Sequence, residues 1–271
     1  MPTWETKHKN FQNYIRKYDE YYTRYEHVKD LFERYIPVDD LKDKIIYCPC
    51  DSDESNFVIY LKEHKEDLQY KELIYTWDDY NTHLDLFEKC DIIITNPPFS
   101  KLIKEFIPIL NKVNKKFFIL GSLISLPNYY NKFNDKDNIK YVRPDMYFNF
   151  MMPEGCNLPN CPVYIYISNM NINNYYKEPT FDKKEKNMVH VIRTTDNKIY
   201  KHYSRINNIP LDEYDEIFVP STVLLEHNRK HFDFIKINYI MDNRVKDGER
   251  YLFEDGKNRF CRMFVKRKRI K

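Results

Sequence analysis

Residues 90–100 of the chain read Cys90-Asp91-Ile92-Ile93-Ile94-Thr95-Asn96-Pro97-Pro98-Phe99-Ser100. A run of β-branched residues that ends in polar residues predicts a buried parallel strand. The asparagine, two prolines and phenylalanine that follow predict a stiff loop, because proline fixes φ and removes a backbone donor. Open α/β sheets bind their ligands at the carboxyl ends of their strands. We therefore expect a ligand-binding loop at residues 96–99.

The chemistry of this loop suits an exocyclic amine on a planar heteroaromatic ring. The side-chain oxygen of Asn96 and the carbonyl of Pro97 can each accept one N–H of the amine. Phe99 can stack on the ring, and Pro98 stiffens the loop. When both protons are accepted, the nitrogen lone pair is directed out of the ring system and becomes nucleophilic without a basic side chain. An ordinary strand-to-helix turn that contains a proline pair is the structural alternative.

The order Asn-Pro-Pro-Phe after a buried strand resembles the signature of the N6-adenine methyltransferases, whose methyl donor is S-adenosylmethionine (AdoMet). The resemblance implies that Asn96, Pro97, Pro98 and Phe99 are the catalytic residues, and that Asn96 also borders the cofactor. Phenylalanine rather than tyrosine at position 99 favours adenine in DNA over amines in RNA or protein.

Upstream, residues 45–48 predict the first strand, and the loop at residues 49–57 contains no glycine. Cofactor loops at this place in doubly wound folds are ordinarily glycine-rich. The stretch Tyr-Cys-Pro-Cys-Asp, followed by Ser-Asn-Phe, is nevertheless similar to the adenine methyltransferases of the EcoRI type. This similarity implies that Cys48 and Asp51 contact AdoMet.

A second resemblance precedes the first strand. Residues 19–23, Asp-Glu-Tyr-Tyr-Thr, resemble an element that lies before the cofactor strand in one group of DNA adenine methyltransferases. The resemblance implies that Tyr22 and Thr23 contact AdoMet. Packing of this aromatic tract between two short helices is the alternative interpretation.

The second predicted strand, residues 72–77, ends in Asp78-Asp79-Tyr80. A carboxylate at such a strand end can accept hydrogen bonds from both ribose hydroxyls of a nucleoside cofactor. Asp79-Tyr80 also resembles an Asp-Phe pair of the family, which implies contact with the cofactor adenine. We assign all three residues to the cofactor site and leave open which aspartate binds the ribose. A solvated turn is the alternative for either aspartate.

The segments after the loop complete the predicted fold. Ser100 is expected to cap a helix, and residues 115–122 predict a further strand. Residues 146–151 and 162–167 are typical of an antiparallel pair at the sheet edge. We therefore predict an α/β fold: a Rossmann-like AdoMet-dependent methyltransferase sheet with antiparallel edge strands, plus a C-terminal DNA-recognition region. The buried helix face is expected to comprise Leu102, Ile103, Phe106, Ile109 and Leu110.

Two domains are expected. Residues 169–179 have the linker-like composition Asn, Tyr and Lys, so residues 1–170 are predicted to form the catalytic domain and residues 171–271 a DNA target-recognition region. Residues 217–235 and 256–267 resemble the corresponding C-terminal segments of the EcoRI-type methyltransferases.

The positive charge is concentrated at the C-terminus. Residues 257–271 contain eight Lys or Arg and no Asp or Glu, although the net charge of the chain is only +3. Clustered basic residues are what a phosphate backbone attracts. We predict double-stranded DNA as the partner and Lys266, Arg267, Lys268 and Arg269 as phosphate contacts. A solvated tail is the alternative.

The composition, 42% hydrophobic and 31% charged, is typical of a soluble globular protein. The sequence has neither an apolar run of bilayer length nor a signal peptide, so we expect a cytoplasmic protein without a membrane partner. Its six cysteines lack the paired spacing of a zinc site, which predicts that no metal is bound.

The sequence thus predicts a site-specific DNA adenine-N6 methyltransferase that uses AdoMet on a flipped-out adenine. A cognate restriction endonuclease is compatible with this prediction, and the sequence sets no oligomeric state. Two alternatives stay open. The same loop serves an amine of RNA or protein in other methyltransferases, and the glycine-free loop suits a catalytically inactive DNA-binding relative.

Overall fold

The computed structural model describes residues 22–145, 150–151, 163–173, 181, 187–236, 251–257 and 262–269. The chain is a mixed α/β protein that divides into two compact units. The first unit comprises residues 1–123 and 132–175, and the second comprises residues 124–131 and 176–271. Within the described residues, each unit contains a six-stranded sheet.

The sheet of the first unit has the order β2-β1-β3-β4-β6-β5. Its strands are β1 (Ile45–Pro49), β2 (Glu72–Thr76), β3 (Ile92–Thr95), β4 (Lys116–Ser122), β5 (Lys140–Val142) and β6 (Tyr164–Ser168). The first four pair in parallel, whereas β6 is antiparallel to both β4 and β5. The carboxyl ends of β1, β2 and β3 therefore lie at the same edge of the sheet.

Burial explains why the central strands form. Every residue of β3 is buried, as a β-branched run between two neighbouring strands requires. The predicted edge pair is only partly correct. Residues 164–168 of the predicted pair form β6, which lies between β4 and β5. Residues 146–149 lie outside the described residues, and Met151 forms an isolated antiparallel bridge with Tyr22.

Helices connect the strands of this unit. They are α1 (Tyr25–Arg34), α2 (Asn56–Glu63), α3 (Lys65–Leu68), α4 (Leu84–Lys89), α5 (Phe99–Lys101) and α6 (Ile107–Val113), with short 3₁₀ turns at Val38–Asp40 and Tyr80–His83. The α2 helix follows β1, α4 precedes β3, and α5 begins directly after the Asn-Pro-Pro segment. Each of the three parallel strand ends is thus followed by a loop or a helix start.

The helix after β3 differs from the prediction in two ways. It begins at Phe99 with Pro98 in the N-cap position, so Ser100 is inside the helix and does not cap it. A π-helical segment, Leu102–Phe106, then separates α5 from α6. Pro108 lies in the first turn of α6 and has no backbone N–H, which interrupts the regular hydrogen-bond pattern here. The predicted buried face is retained at Leu102, Phe106 and Leu110.

The second unit has a sheet of order β10-β12-β9-β8-β7-β11. Its strands are β7 (Met188–Arg193), β8 (Lys198–Tyr203), β9 (Ile217–Pro220), β10 (Phe232–Lys236), β11 (Tyr251–Phe253) and β12 (Arg262–Arg267). All of its pairs are antiparallel except β8 with β9. The core cluster of this sheet comprises Val191, Tyr200, Phe218, Tyr251, Phe253 and Phe264.

Short helical segments accompany this sheet: α7 (Leu126–Lys132), of which residues 126–131 belong to the second unit, α8 (Glu226–Arg229), and 3₁₀ turns at Ile206–Asn208 and Ser221–Leu224. A further 3₁₀ turn, Leu123–Ser125, lies at the division between the units. Within the described ranges, no helix has the length and apolar character needed to cross a membrane.

Candidate active site

A cavity of about 880 Å³ opens at the carboxyl ends of β1, β2 and β3 in the first unit. Most of its wall is formed by the loops that follow these three strands. The lining comprises Tyr22, Thr23, Cys50, Asp51, Ser52, Asp53, Glu54, Ser55, Asn56, Phe57, Trp77, Asp78, Asp79, Tyr80, Asn96, Pro97, Pro98, Lys101 and Met151. The cavity thus brings together sequence segments that were predicted separately as cofactor loops and as the catalytic loop.

The loop after β1 reaches the cavity without a glycine. Cys50 has a φ of +96°, a backbone conformation that glycine adopts readily and other residues rarely do. The N–H groups of Cys50 and Asp51 both donate to the carbonyl of Thr76, at 2.8 and 3.0 Å. These bonds fix the end of β1 against the end of β2, so the tight turn normally made by glycine is made here by Cys50.

Asp51 links the first loop to the end of β3. Its side chain is only 5% exposed and accepts hydrogen bonds from the hydroxyls of Ser55 and Thr95, the latter at 2.7 Å. Burial raises the pKa of the Asp51 carboxyl to about 7, although both hydrogen bonds favour its ionised form. Because Thr95 immediately precedes Asn96, Asp51 holds the β1 loop and the Asn-Pro-Pro segment in a fixed relation.

The loop after β2 carries the two acids. Oδ1 of Asp78 lies 2.7 Å from Nε2 of His83. Oδ1 of Asp79 accepts from the backbone N–H of Asn81 at 3.1 Å and from its side-chain amide at 2.9 Å, which caps the 3₁₀ turn. These bonds, led by the one from the Asn81 backbone, lower the pKa of Asp79. Asp79 therefore shapes the turn, while both carboxylates border the cavity.

Tyr80 lies deeper than its predicted role requires. Its hydroxyl donates to Glu105 Oε2 at 3.1 Å, and its ring packs edge-on against Phe106 with centroids 5.3 Å apart. Burial, followed by the hydrogen bond to Glu105, raises its pKa. The side chain is almost completely buried, so Tyr80 forms the floor of the cavity more than its wall.

The Asn-Pro-Pro-Phe segment lies where the sequence predicts it. Asn96, Pro97 and Pro98 line the cavity and follow the last residue of β3. Phe99 is half-buried and opens α5, and its ring lies 6.2 Å from that of Phe150 at 77°. Phe99 is not among the lining residues, so its stacking role stays a prediction.

Cys48, the predicted cysteine contact of AdoMet, does not line the cavity. Cys48 is within β1 and completely buried in the core, whereas Cys50 lines the cavity. The reason is that β1 extends through Pro49, so only residues beyond Pro49 reach the strand end. Of the other predicted cofactor contacts, Tyr22, Thr23, Asp51, Asp78, Asp79, Tyr80 and Asn96 all line the cavity.

Sequence reasoning missed Trp77 and Lys101, which also line the cavity. The predicted second strand includes Trp77 as its last residue, but β2 ends at Thr76, which places Trp77 in the loop. Lys101 follows Asn-Pro-Pro-Phe by two residues and could have been found from its place in the first helical turn. No group of three or more His, Cys, Asp or Glu suited to a metal ion occurs in the part of the chain that the structure describes.

The four basic residues predicted to contact phosphates do not share one environment. Lys266, Lys268 and Arg269 are exposed, whereas Arg267 is only 9% exposed. The Arg267 guanidinium lies 4.0 Å from the ring centroid of Phe181, and its Nη2 donates to the Ile209 carbonyl at 3.2 Å. Arg267 is the last residue of β12 and is buried, whereas Lys266 before it and Lys268 after it are exposed. Arg267 is therefore largely buried, and its contact with a phosphate stays a prediction.

Comparison with known proteins points to one family. Residues 11–89 and 77–269 match the family described as "Adenine-specific methyltransferase EcoRI". The chain is 25% identical to the Type II methyltransferase M.EcoRI of Escherichia coli, with 94% of each protein covered. It is 30% identical to the Type II methyltransferase M.MgeORF184P of Mycoplasma genitalium over 29% of this chain and 33% of that protein. The family match covers well over half of the chain.

Proposed function

Because the chain belongs to the adenine-specific methyltransferase EcoRI family, we propose that it transfers a methyl group from AdoMet to N6 of an adenine in double-stranded DNA. Family membership confirms the resemblance predicted from sequence, and the chain is an adenine-specific methyltransferase. The observation that carries the proposal is the place of Asn96, Pro97 and Pro98. They line the same cavity as the loops after β1 and β2, where a cofactor and the reacting amine have to meet.

The residues around the cavity fit AdoMet. Its volume of about 880 Å³ is of the size that encloses a nucleoside-sized ligand. Asp78 and Asp79 each offer a carboxylate for ribose hydroxyls, since Oδ1 of Asp78 contacts His83 and Oδ1 of Asp79 is engaged by Asn81, which favours neither aspartate over the other. Four parallel strands with an antiparallel edge support a Rossmann-like arrangement for the first unit. When bound, AdoMet supplies an electrophilic methyl group on a positively charged sulfur.

The catalytic loop acts through its acceptors. The Asn96 side-chain oxygen and the Pro97 carbonyl accept the two N6 protons of adenine, which directs the nitrogen lone pair away from the ring. Adenine has to leave the base stack of the DNA duplex to reach this loop, which costs roughly a few kcal/mol. Stacking on Phe99 offsets about 1–3 kcal/mol of this cost. Pro98 precedes the first helical residue and keeps the loop rigid.

The second unit and the basic tail are proposed to hold the DNA. Lys266, Lys268 and Arg269 are exposed cations at and after the end of β12 and suit phosphate contacts. Both relatives carry names of Type II methyltransferases, so we place the chain in a restriction-modification system. The proposed division of labour is catalysis in residues 1–170 and target recognition in residues 171–271.

Substitution of Asn96 tests the proposal. Asn96→Ala is expected to lower methyl transfer to DNA by about 100-fold or more. The substitution removes the side-chain oxygen that accepts a hydrogen bond from N6 of adenine in the transition state. AdoMet affinity, measured by calorimetry, should stay close to that of the wild type because the partner of Asn96 is the substrate amine. Asn138→Ala, at an exposed position outside the cavity lining, is the matched control.

A tritiated methyl donor incubated with DNA, RNA and protein identifies the acceptor. Label in N6-methyladenine of DNA alone is the expected result. Label in RNA or protein would refute the substrate assignment, and undiminished DNA methylation by Asn96→Ala would refute the mechanism.

A further inference from the structure

The helical segment after the Asn-Pro-Pro-Phe loop contains a π-helical turn, Leu102–Phe106. The N–H of Ile107 donates to the carbonyl of Leu102, five residues earlier, so this turn holds one residue more than a turn of α-helix. Single π-helical turns of this kind are frequent at functional sites. The acidic residue of the turn is Glu105, whose side chain is half-buried.

Glu105 contacts the loop after β2 through two side chains. Its Oε2 accepts a hydrogen bond from the Tyr80 hydroxyl at 3.1 Å and a longer one from the Asn81 side-chain amide at 3.4 Å. The same amide donates to Oδ1 of Asp79 at 2.9 Å. Asn81 therefore connects Glu105, in the helical segment after the catalytic loop, to a carboxylate that borders the cavity.

Contacts with the Tyr80 ring strengthen the same junction. The ring packs edge-on against Phe106, with centroids 5.3 Å apart, and Nζ of Lys101 lies 5.9 Å from its centroid. Tyr80 is almost completely buried, and a buried tyrosine hydroxyl requires a hydrogen-bond partner, which Glu105 provides. Three residues of the helical segment thus hold one tyrosine of the β2 loop.

The shape of the β2 loop and its position depend on different hydrogen bonds. Oδ1 of Asp79 accepts from the backbone N–H and the side-chain amide of Asn81, so these two residues close the turn by themselves. Glu105 is not needed for the turn, but it fixes the turn relative to the helical segment that begins at Phe99. A group is transferred fast only when donor and acceptor are closely aligned, and a small displacement of either costs much of the rate.

We infer that Glu105 is a positioning residue for methyl transfer, which through Tyr80 and Asn81 keeps the loop after β2 in register with the Asn-Pro-Pro-Phe loop. Glu105 is not among the residues that line the cavity, so it acts without touching AdoMet or adenine. The inference rests on the proposed function, in which these two loops hold the cofactor and the reacting amine.

Glu105→Ala in the full-length chain tests the inference. Turnover per AdoMet-binding site, with AdoMet and plasmid DNA both saturating, should fall about tenfold, the factor expected for loss of a hydrogen bond to a charged group. The KM values for AdoMet and DNA should stay within about twofold of the wild type, because both binding surfaces are retained. A loss of folded protein would lower the number of AdoMet-binding sites and leave the turnover of each site unchanged.

Lys104→Ala is the matched control, because Lys104 is an exposed residue of the same π-helical turn. Its turnover should equal that of the wild type. Glu105→Gln should retain most of the turnover, since the amide oxygen can still accept from the Tyr80 hydroxyl. Tyr80→Phe keeps the ring and removes the hydroxyl, and it should lower turnover about as far as Glu105→Ala. Combining Tyr80→Phe with Glu105→Ala should cause no further loss, because both remove the same bond.

Three results would each overturn the inference while the proposed function stands. They are wild-type turnover by Glu105→Ala, a Glu105→Gln variant as slow as Glu105→Ala, and losses of Glu105→Ala and Tyr80→Phe that multiply in the double variant. If the wild type binds no AdoMet and transfers no methyl group to DNA, the proposed function itself fails, and the inference fails with it.

Discussion

Asp51 in the first unit and Glu213 in the second are both buried carboxylates, and their surroundings differ. Asp51 lies at the cavity in the first unit and accepts its described hydrogen bonds from the neutral hydroxyls of Ser55 and Thr95. Glu213 lies in the second unit, 6% exposed, and accepts from Lys201 Nζ at 2.8 Å and from the Tyr203 hydroxyl at 3.0 Å. The hydrogen-bond donors to Asp51 are neutral hydroxyls, whereas Glu213 also accepts from the cationic Lys201.

The pKa values respond in opposite directions. Burial raises the pKa of Asp51 to about 7. Burial acts in the same sense on Glu213, but Lys201, the Asp215 N–H and Tyr203 outweigh it and lower its pKa. A carboxylate that is destabilised beside a cavity is typical of a functional site, whereas a fully paired one stabilises the fold. Asp51 and Glu213 are both buried, so their hydrogen-bond and charge partners account for the opposite directions of their pKa shifts.

The largest expected effect concerns the pH dependence of stability at Asp51. Between about pH 4 and pH 7 the folded state keeps this proton while the unfolded chain has lost it, so stability falls as pH rises and levels off above pH 7. Over the whole window the loss is about 4 kcal/mol. Relative to Asp51→Asn, the wild type should lose about 1.4 kcal/mol per pH unit between pH 5 and pH 6 in urea unfolding, and less per unit as the pH approaches 7.

Asp53→Asn is the control for this measurement, because Asp53 lies in the same loop but is exposed. It should retain the slope of the wild type. A wild-type slope equal to that of Asp51→Asn would show that Asp51 is ionised in the folded state throughout, and the contrast with Glu213 would disappear.

Glu213 should show the opposite behaviour. Glu213→Gln is expected to cost about 3 kcal/mol at pH 7, as for a broken buried ion pair of which one partner reaches solvent. The stabilisation by Glu213 is present above its ordinary pKa of 4.5 and is lost as pH falls below it. AdoMet affinity should not change. Chemical unfolding at pH 7 and at pH 4 gives the two values.

Glu216→Gln provides the matched comparison. Glu216 lies 4.0 Å from Lys198 in a weaker pair, and its loss should cost less than about 1 kcal/mol. Equal losses for the two variants would mean that the Glu213 network adds nothing beyond a surface ion pair.

The smallest effects separate the neighbours Lys266 and Arg267. Lys266→Gln should leave stability unchanged and lower the slope of log K for DNA against log salt by about 0.9, the value for one lost phosphate contact. Arg267→Gln should cost about 1–2 kcal/mol, since its guanidinium packs on Phe181, and should leave the salt slope unchanged. Binding titrations at several salt concentrations test both. If Arg267→Gln changed the slope of log K against log salt, Arg267 would be a phosphate contact after all.

Much of the first unit was predictable from sequence. The strands Ile92–Thr95, Ile45–Pro49 and Glu72–Thr76 are rich in β-branched and apolar residues, and their carboxyl ends meet as parallel topology requires. Placing Asn96 and Asp51 in one cavity needed only this rule.

The remaining errors come from strand boundaries and alternation. An extra strand residue at Pro49 moves the cavity contact from Cys48 to Cys50, and one residue fewer in β2 releases Trp77. The strand at Lys140–Val142 has too few residues to show a period. Residues 266–269 are all basic, so the sequence does not show that Arg267 is buried while Lys266 and Lys268 are exposed. Each of these features depends on neighbours distant in sequence, which a local pattern does not contain.

Cys50 has a wider consequence for how such sites are recognised. Sequence fingerprints of nucleoside-binding loops are defined by their glycines. The turn itself, however, requires only a positive φ, and in this chain Cys50 adopts it. A search for a positive φ at the first strand-to-helix junction would find this loop, whereas a search for a glycine motif would not. Chains from genomes that are poor in glycine codons are the natural place to apply such a search.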